Sequence, residues 1–558
     1  MTELATLRAL IVEPNAAMRT SLQDMLLQCA LAAVDHVNSA GTAIRALQHR
    51  SYELILCEYD LGAGQDGQQL LEDLRQQQII SLSTVFIMIT AERAYQKVVG
   101  AAELAPTDYI LKPFSVERLL LRIRRALERR ALLLPVHQLL EHGEQHAAIQ
   151  ACRDGARQSP RQAGEFLRLR AELQLALGEA TAAEATYRQL LQDRKLGWAR
   201  HGLAKCLLLQ GRHVEAQAML QALVAEQPSL LDAYDSLAQT HEALGQLPAA
   251  QAVLQRAVEV SPHALGRLRR LGRVALDAGD LQIAEYALQQ VVGKSSHSEF
   301  RDPEDQVQLV KTLLRLDQPE QADRVIRQLD GTLGQGGKGA ACGAIASAML
   351  HEFRGDTAQL ATALDAAVAA SLNGSGSAIS AELKLELAGH CLQHQREAAA
   401  SQLVLDVIGN AADEATLAKT TQVLAQAGRP ELALALQQQS RRQVIALVAE
   451  GAGRARQGDY TGAVELMTSA LQKLPHNPQV VFNAAVALLK CLEQIGWQDA
   501  MGGQARSLIA TLRRLDPAYP QLDALVALYR TILQQYGRGT GRPQLQPARP
   551  ALSKLAQR

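Results

Sequence analysis

Aromatic residues are scarce in this chain, at 3% of 558 residues, while Ala, Leu and Gln recur throughout. That scarcity argues against a large β-sandwich core and favours close helix–helix packing. Cysteine is thin and scattered: Cys29, Cys57, Cys152, Cys206, Cys342, Cys391 and Cys491 are odd in number and form no CxxC pair. Neither a disulfide framework nor a zinc site reads from them, and a reducing cytoplasm is the expected compartment. An excess charge of either sign is also missing, since 57 basic residues balance 57 acidic ones. The balance excludes whole-chain attraction to nucleic acid or to an anionic membrane. No apolar run approaches the roughly 20 residues a membrane helix needs. The opening MTELATLRAL lacks the basic-then-apolar order of an export signal, so a soluble, non-exported chain is expected.

The chain also lacks a P-loop, a nucleophile elbow, an HExxH motif and a kinase motif set, so it is not expected to be an enzyme. His137, His142 and His146 lie close in sequence, but helical turns separate at least one of them, and no metal site is expected.

Two periodicities divide what is present. In the first part, short apolar runs alternate with helical patterns. Strands are expected at Leu10–Val12, Ala33–Val37, Leu54–Cys57, Val85–Ile89 and Tyr109–Leu111. Helices are expected at about 17–29, 41–49, 68–76, 95–104 and 116–130. Strands apolar on both faces, each followed by a helix, indicate an α/β doubly wound five-stranded parallel sheet over residues 1–130. Its functional site belongs at the carboxyl ends of the strands.

The residues at those ends are distinctive. The first strand leads to Glu13-Pro14-Asn15, with Arg19 in the next helix; the third ends Cys57-Glu58-Tyr59-Asp60. The fourth ends Thr90-Ala91, and the fifth reads Asp108-Tyr109-Ile110-Leu111-Lys112-Pro113-Phe114. In combination they resemble the flavodoxin-like receiver domain of bacterial two-component response regulators. The resemblance implies an acidic pair for Mg²⁺ after the first strand, here Glu13 with Pro14 in the second place. It implies a phosphoaccepting Asp at the position of Glu58. Thr90 and Lys112 match the phosphoryl-contacting residues, Tyr109 matches the aromatic switch, and Pro113 is expected to follow a cis bond.

Phosphoryl transfer to a carboxylate needs an in-line oxygen and a cation in a fixed geometry. Glu58 displaces its carboxylate by one methylene, and Pro14 removes a potential Mg²⁺ ligand. At most weak Mg²⁺ binding at Glu13 and Glu58 is expected, and no required cofactor. Two readings of Glu58 stay open. Either it pairs with Lys112 and holds an activated conformation, or the domain is a folded docking module in which Glu58 is tolerated.

Beyond residue 130 a period of about 34 residues takes over. The clearest unit, Leu231–Pro262, carries Tyr234, Leu237-Ala238, Gly245, Ala250, Leu254, Ala257 and Pro262. Units around Gly211, Gly279 and Gly458 repeat the pattern, which resembles the tetratricopeptide repeat (TPR). Small residues allow close helix approach, Gly ends the first helix in a left-handed turn, and Pro ends the second. Such hairpins bury a core only by stacking. About ten or eleven are expected over 131–516 as an all-α superhelical solenoid, with a capping helix at 517–536 and a disordered basic tail at 537–558.

His201, Lys205, Arg269 and Arg273 are expected at groove-facing positions, the last two either simply solvated or forming a basic spot for an acidic segment. The Arg-rich stretch Arg122–Arg130 is expected to be a solvated face. The whole reads as a phosphorelay-type adaptor, a degenerate pseudo-receiver and a TPR solenoid that bind protein or peptide partners. Alternatives are a phosphorylatable response regulator with a TPR output domain, and a TPR assembly chaperone or enzyme regulator.

Overall fold

The computed structural model describes residues 7–28, 31, 33–62, 65–90, 106–142, 144–192, 196–262, 264–296, 298, 301–333, 337–372, 379–411, 414–517 and 519–536. The helix expected at 95–104, the glycine-rich stretch 373–377 and the tail from 537 lie outside the described residues. Two compact units emerge, the first running to Asp302 and the second starting at Pro303.

The first unit opens with β1 (Arg8–Val12), α1 (Ala16–Gln28), β2 (Ala33–Val37), α2 (Ala40–His49), β3 (Leu54–Glu58), α3 (Gly67–Gln76), β4 (Val85–Thr90) and β5 (Asp108–Leu111). The strands form one parallel sheet in the order β2-β1-β3-β4-β5. Period-two alternation sorts their side chains onto two faces. Leu10, Val12, Ile55, Cys57, Phe86 and Met88 pack under α2 and α3. Ala9, Ile11, Leu54, Leu56, Ile87 and Ile89 pack against α1 and the next helix, α4 (Val116–His142). Side-chain caps start the short helices: Ser39 accepts from the Thr42 amide, and Asp66 from the Gln69 amide.

α4 runs 27 residues through Pro135 without interruption, so the boundary drawn at residue 130 falls inside one helix. Of its arginines, Arg124, Arg125 and Arg129 are exposed, as expected of a solvated face, while Arg122 and Arg130 are half-buried. Arg122 pairs with Asp108 at 3.0 Å, Arg129 with Glu165 at 2.7 Å, and Arg130 donates to the Ser83 carbonyl at 2.8 Å.

The first unit continues as antiparallel helix pairs: α5 (Gln145–Gln158), α6 (Ala163–Ala176), α7 (Ala180–Leu191), α8 (Gly197–Leu209), α9 (His213–Glu226), α10 (Leu231–Ala243), α11 (Leu247–Val260), α12 (Leu265–Ala278) and α13 (Leu281–Ser295). The second unit holds α14 (Pro303–Arg315), α15 (Pro319–Leu333), α16 (Gly337–Arg354), α17 (Thr357–Leu372), α18 (Ala381–Gln393), α19 (Glu397–Asn410), α20 (Glu414–Gln426), α21 (Pro430–Arg456), α22 (Tyr460–Lys473), α23 (Pro478–Ile495), α24 (Asp499–Leu515) and α25 (Leu522–Gln535).

The turns are the conserved device within the chain itself. Gly178, Gly211, Gly245, Gly279, Gly355, Gly428 and Gly458 all adopt φ between +71° and +85°. Asp317 and Gln395, both at +59°, take the same left-handed place in two other hairpins. One departure is α21, a single helix of 27 residues where the end of one hairpin and the start of the next were expected. The stretch Gln437–Val444 contains no Gly or Pro to break it, so the helix continues.

Candidate functional site

Parallel strands bring their carboxyl ends to one edge, and the polar residues collect between β1 and β3. Glu13 follows β1 and Glu58 ends β3; both are buried. Lys112, just after β5, reaches across and donates from Nζ to Glu13 Oε2 at 2.8 Å and to Glu58 Oε2 in a shorter contact. The Glu58 carboxylate also curls back on its own strand end, where Oε1 accepts from the Tyr59 amide at 2.8 Å and the Asp60 amide at 3.2 Å. Glu13 Oε1 accepts from the Asn15 amide at 3.0 Å.

Arg19, a positioning residue whose role the sequence did not announce, donates to the carbonyls of Glu13 and Pro14, each at 2.7 Å. Gly67 completes the site from behind, because a Cβ there would lie 2.4 Å from the Glu58 carbonyl. Thr90 ends β4 and is buried, and its carbonyl accepts from the Lys112 amide at 2.7 Å. Tyr109 packs partly buried against the core beneath α2 and α3. The Lys112–Pro113 bond is cis. Asp60 is exposed, its Oδ1 accepting from the Gly62 amide at 3.0 Å.

Burial pushes the Glu58 carboxyl above the usual range, against the pull of Lys112. Burial alone would lower Lys112, but its bonds to Glu13 and Glu58 hold its ammonium above the ordinary value. The donor set does not fit Mg²⁺ as arranged: a lysine stands between the two carboxylates, Pro14 has no side-chain ligand, and one Glu58 oxygen faces backbone amides. Among the described residues no cluster of three or more His, Cys, Asp or Glu is arranged for a metal.

One residue of the expected peptide groove needs correction. His201 is buried rather than groove-facing, with Nε2 at 2.8 Å from Ser236 Oγ of α10, so its ring ties two repeats together. Of the basic spot, Arg273 is exposed and Arg269 is half-buried. Arg273 lies 3.6 Å from Glu242, and Arg269 faces the charge of Asp73. Neighbouring Arg267 and Arg270 pair with Asp235 at 2.6 Å and Glu242 at 2.8 Å. The acidic residues of one repeat are thus used by the basic residues of the next. Lys205 is exposed.

Burial pushes His201 down to about 4. A depressed imidazole contributes stability that is present above its unfolded value near 6.5 and is lost as pH falls through 4. Acid is therefore expected to weaken α8–α10 by up to about 3 kcal/mol. Urea midpoints of wild type and His201→Gln between pH 7 and 4 check this: the variant should show the shallower dependence, and parallel curves would refute it.

Residues 9–124 match the family described as response regulator receiver domain, and residues 236–299 match tetratricopeptide repeat. The chain thus carries a receiver domain followed by TPR repeats. Among curated proteins it is similar to the transcriptional regulatory protein ResD of Bacillus subtilis, 30% identical over 122 residues, 22% of this chain and 48% of ResD. It is 42% identical over 86 residues to the response regulator ArlR of Staphylococcus aureus, 15% of this chain and 36% of ArlR. The chain thus spans less than half the length of either relative.

Among solved structures, the C-terminal part of a TPR repeat-containing protein from Cytophaga hutchinsonii is 13% identical, with a TM-score of 0.35 over 44% of this chain and 96% of that one. The type IV pilus biogenesis factor PilW is 18% identical, with a TM-score of 0.31 over 42% of this chain and 98% of its own. No helix among the described residues is long and apolar enough to cross a membrane.

Proposed function

We propose that this chain is a non-enzymatic cytoplasmic signalling adaptor whose receiver works without phosphoryl transfer and whose TPR helices bind protein or peptide partners. One observation carries the reading: Lys112 Nζ is bound to both Glu13 and Glu58. In this arrangement Glu58 supplies permanently the negative charge that a phosphorylated acceptor would bring, and Lys112 already engages it. Both groups are shielded from water, so the contact is stronger than an exposed ion pair. Pro14 removes the carboxylate that a metal would need beside Glu13.

Acetyl phosphate or beryllofluoride with Mg²⁺ is expected to give no adduct on the wild-type chain by intact mass, and no change in hydrogen exchange at β4 and β5. The double variant P14D/E58D restores both acids and is expected to gain a phosphoryl adduct in the same assay. A stoichiometric, hydroxylamine-sensitive adduct on the wild type would overturn the proposal and identify a phosphorylatable regulator with a TPR output.

A further inference from the structure

Within the first unit the helix pairs lead away from the sheet through α4 and come back to it at α12 and α13. Ser298 Oγ, just past α13, donates to Asp73 Oδ2 on α3 at 2.9 Å. A Cβ on Gly266, in the first turn of α12, would lie 3.9 Å from Glu72 Oε1. Lys294 at the end of α13 donates to the Pro262 carbonyl at 2.5 Å and sits close enough to Asp66 for their charges to interact. Arg269 of α12 stands in the same relation to Asp73. Gln65 Nε2 bonds Asp73 from the receiver side, and Gln65, Gln68 and Gln69 are all buried. Three acidic residues of the receiver, Asp66, Glu72 and Asp73, therefore face two basic residues and a hydroxyl of the helical array.

We propose that the end of the α12–α13 hairpin is a docking site for the acidic α3 face of the receiver, so that the receiver is a ligand of the repeats in cis. It is held at two points: covalently through the continuous α4, and non-covalently through Asp66 and Asp73 on Lys294, Arg269 and Ser298. The contact adjoins the Glu58 site. Gly67, the first residue of α3, donates to the Tyr59 carbonyl at 2.7 Å and packs on the Glu58 carbonyl. A shift at the end of β3 is thereby passed to α12 and α13 without using the α4 face. This docking concerns a different face from the Lys112 bridge and does not depend on whether the domain is phosphorylated.

Hydrogen exchange on the full chain tests the docking. Asp73→Arg and Arg269→Asp should each raise exchange in α3, α12 and α13 by about fivefold, and the double reversal D73R/R269D should recover most of that protection, because the pair is coupled. Gly266→Glu probes the same contact from the array side. It places an acid in a first turn, where the helix dipole favours it, yet sets that acid against Glu72. It should therefore raise exchange in α3 while α12 keeps its own helical protection. Unchanged α3 exchange in Gly266→Glu, or strictly additive effects of the two charge reversals, would overturn the docking. So would a loss of protection in Asp73→Arg that spreads over β1–β4 while Gly266→Glu stays like wild type.

Discussion

Replacing Lys112 with alanine is expected to destabilise the receiver by about 3–5 kcal/mol at neutral pH, the size typical of breaking a buried ion pair by deleting one partner. The residues left behind explain the size. Glu13 and Glu58 are 4% and 8% exposed and lose the cation they share. Glu58 then stands buried beside a like charge, and both effects favour its protonated form.

The sign of the pH dependence follows. Without Lys112 the folded-state Glu58 carboxyl stands further above its unfolded value, so the variant is relatively most stable in mild acid and loses stability as pH rises through that folded value. Wild type should show a weaker fall over that window, because Lys112 stays charged and pulls against the burial that raises Glu58. Glu58→Gln in the Lys112→Ala background removes one uncompensated charge and should recover part of the loss. Neither tryptophan, Trp198 or Trp497, lies in the receiver, so hydrogen exchange of β1–β4 from pH 4.5 to 8 is the suitable readout. A Lys112→Ala receiver as protected as wild type at pH 8 would show that the bridge carries little energy.

Gly202→Val is expected to cost about 2–3 kcal/mol and to disrupt α7–α8 locally, since overpacking of a filled core costs on that order. A Cβ on Gly202 would lie 2.2 Å from a ring atom of Tyr187, which is 3% exposed and held by the neighbouring repeat. The ring is rigid and enclosed, so it cannot swing away as a flexible surface chain would. Trp198 sits beside the site, so its fluorescence in urea reports the loss directly. Gly389→Ala is the matched control. That glycine lies inside α18 with nothing within 4 Å of the added carbon, so the variant should gain about 0.5–1 kcal/mol from helix propensity alone. Equal responses at the two sites would refute the claim that close approach of helices, rather than backbone freedom, selects glycine at 202.

Much of the fold was legible because its signals are local. Strands β3 and β4 are apolar at nearly every position and are buried at every position, as an internal parallel strand requires. The hairpin glycines announced left-handed turns and adopt them. Where local signals were weak, boundaries moved: α4 runs on past residue 130, and no turn residue separates the halves of α21. The candidate site was readable only as a set of residue types at strand ends. That Glu13, Glu58, Thr90 and Lys112 share one edge follows from parallel topology. That Lys112 bonds both carboxylates does not, since it depends on side-chain reach across the β1–β3 cleft.

His201 shows the same limit. Helical spacing placed it on a plausible groove face, but the position of Ser236, 35 residues on, turned it into a buried tie.

The sequence by itself determined a five-stranded parallel receiver sheet followed by helical repeats, because periodicity, turn glycines and strand-end motifs act over a few residues at a time. The tertiary structure decided the Lys112 bridge, the burial of His201 and the return of α13 to α3. Those contacts join residues 35 to 225 apart, as His201 to Ser236 and Ser298 to Asp73 show, and local patterns do not report which side chains meet across such separations.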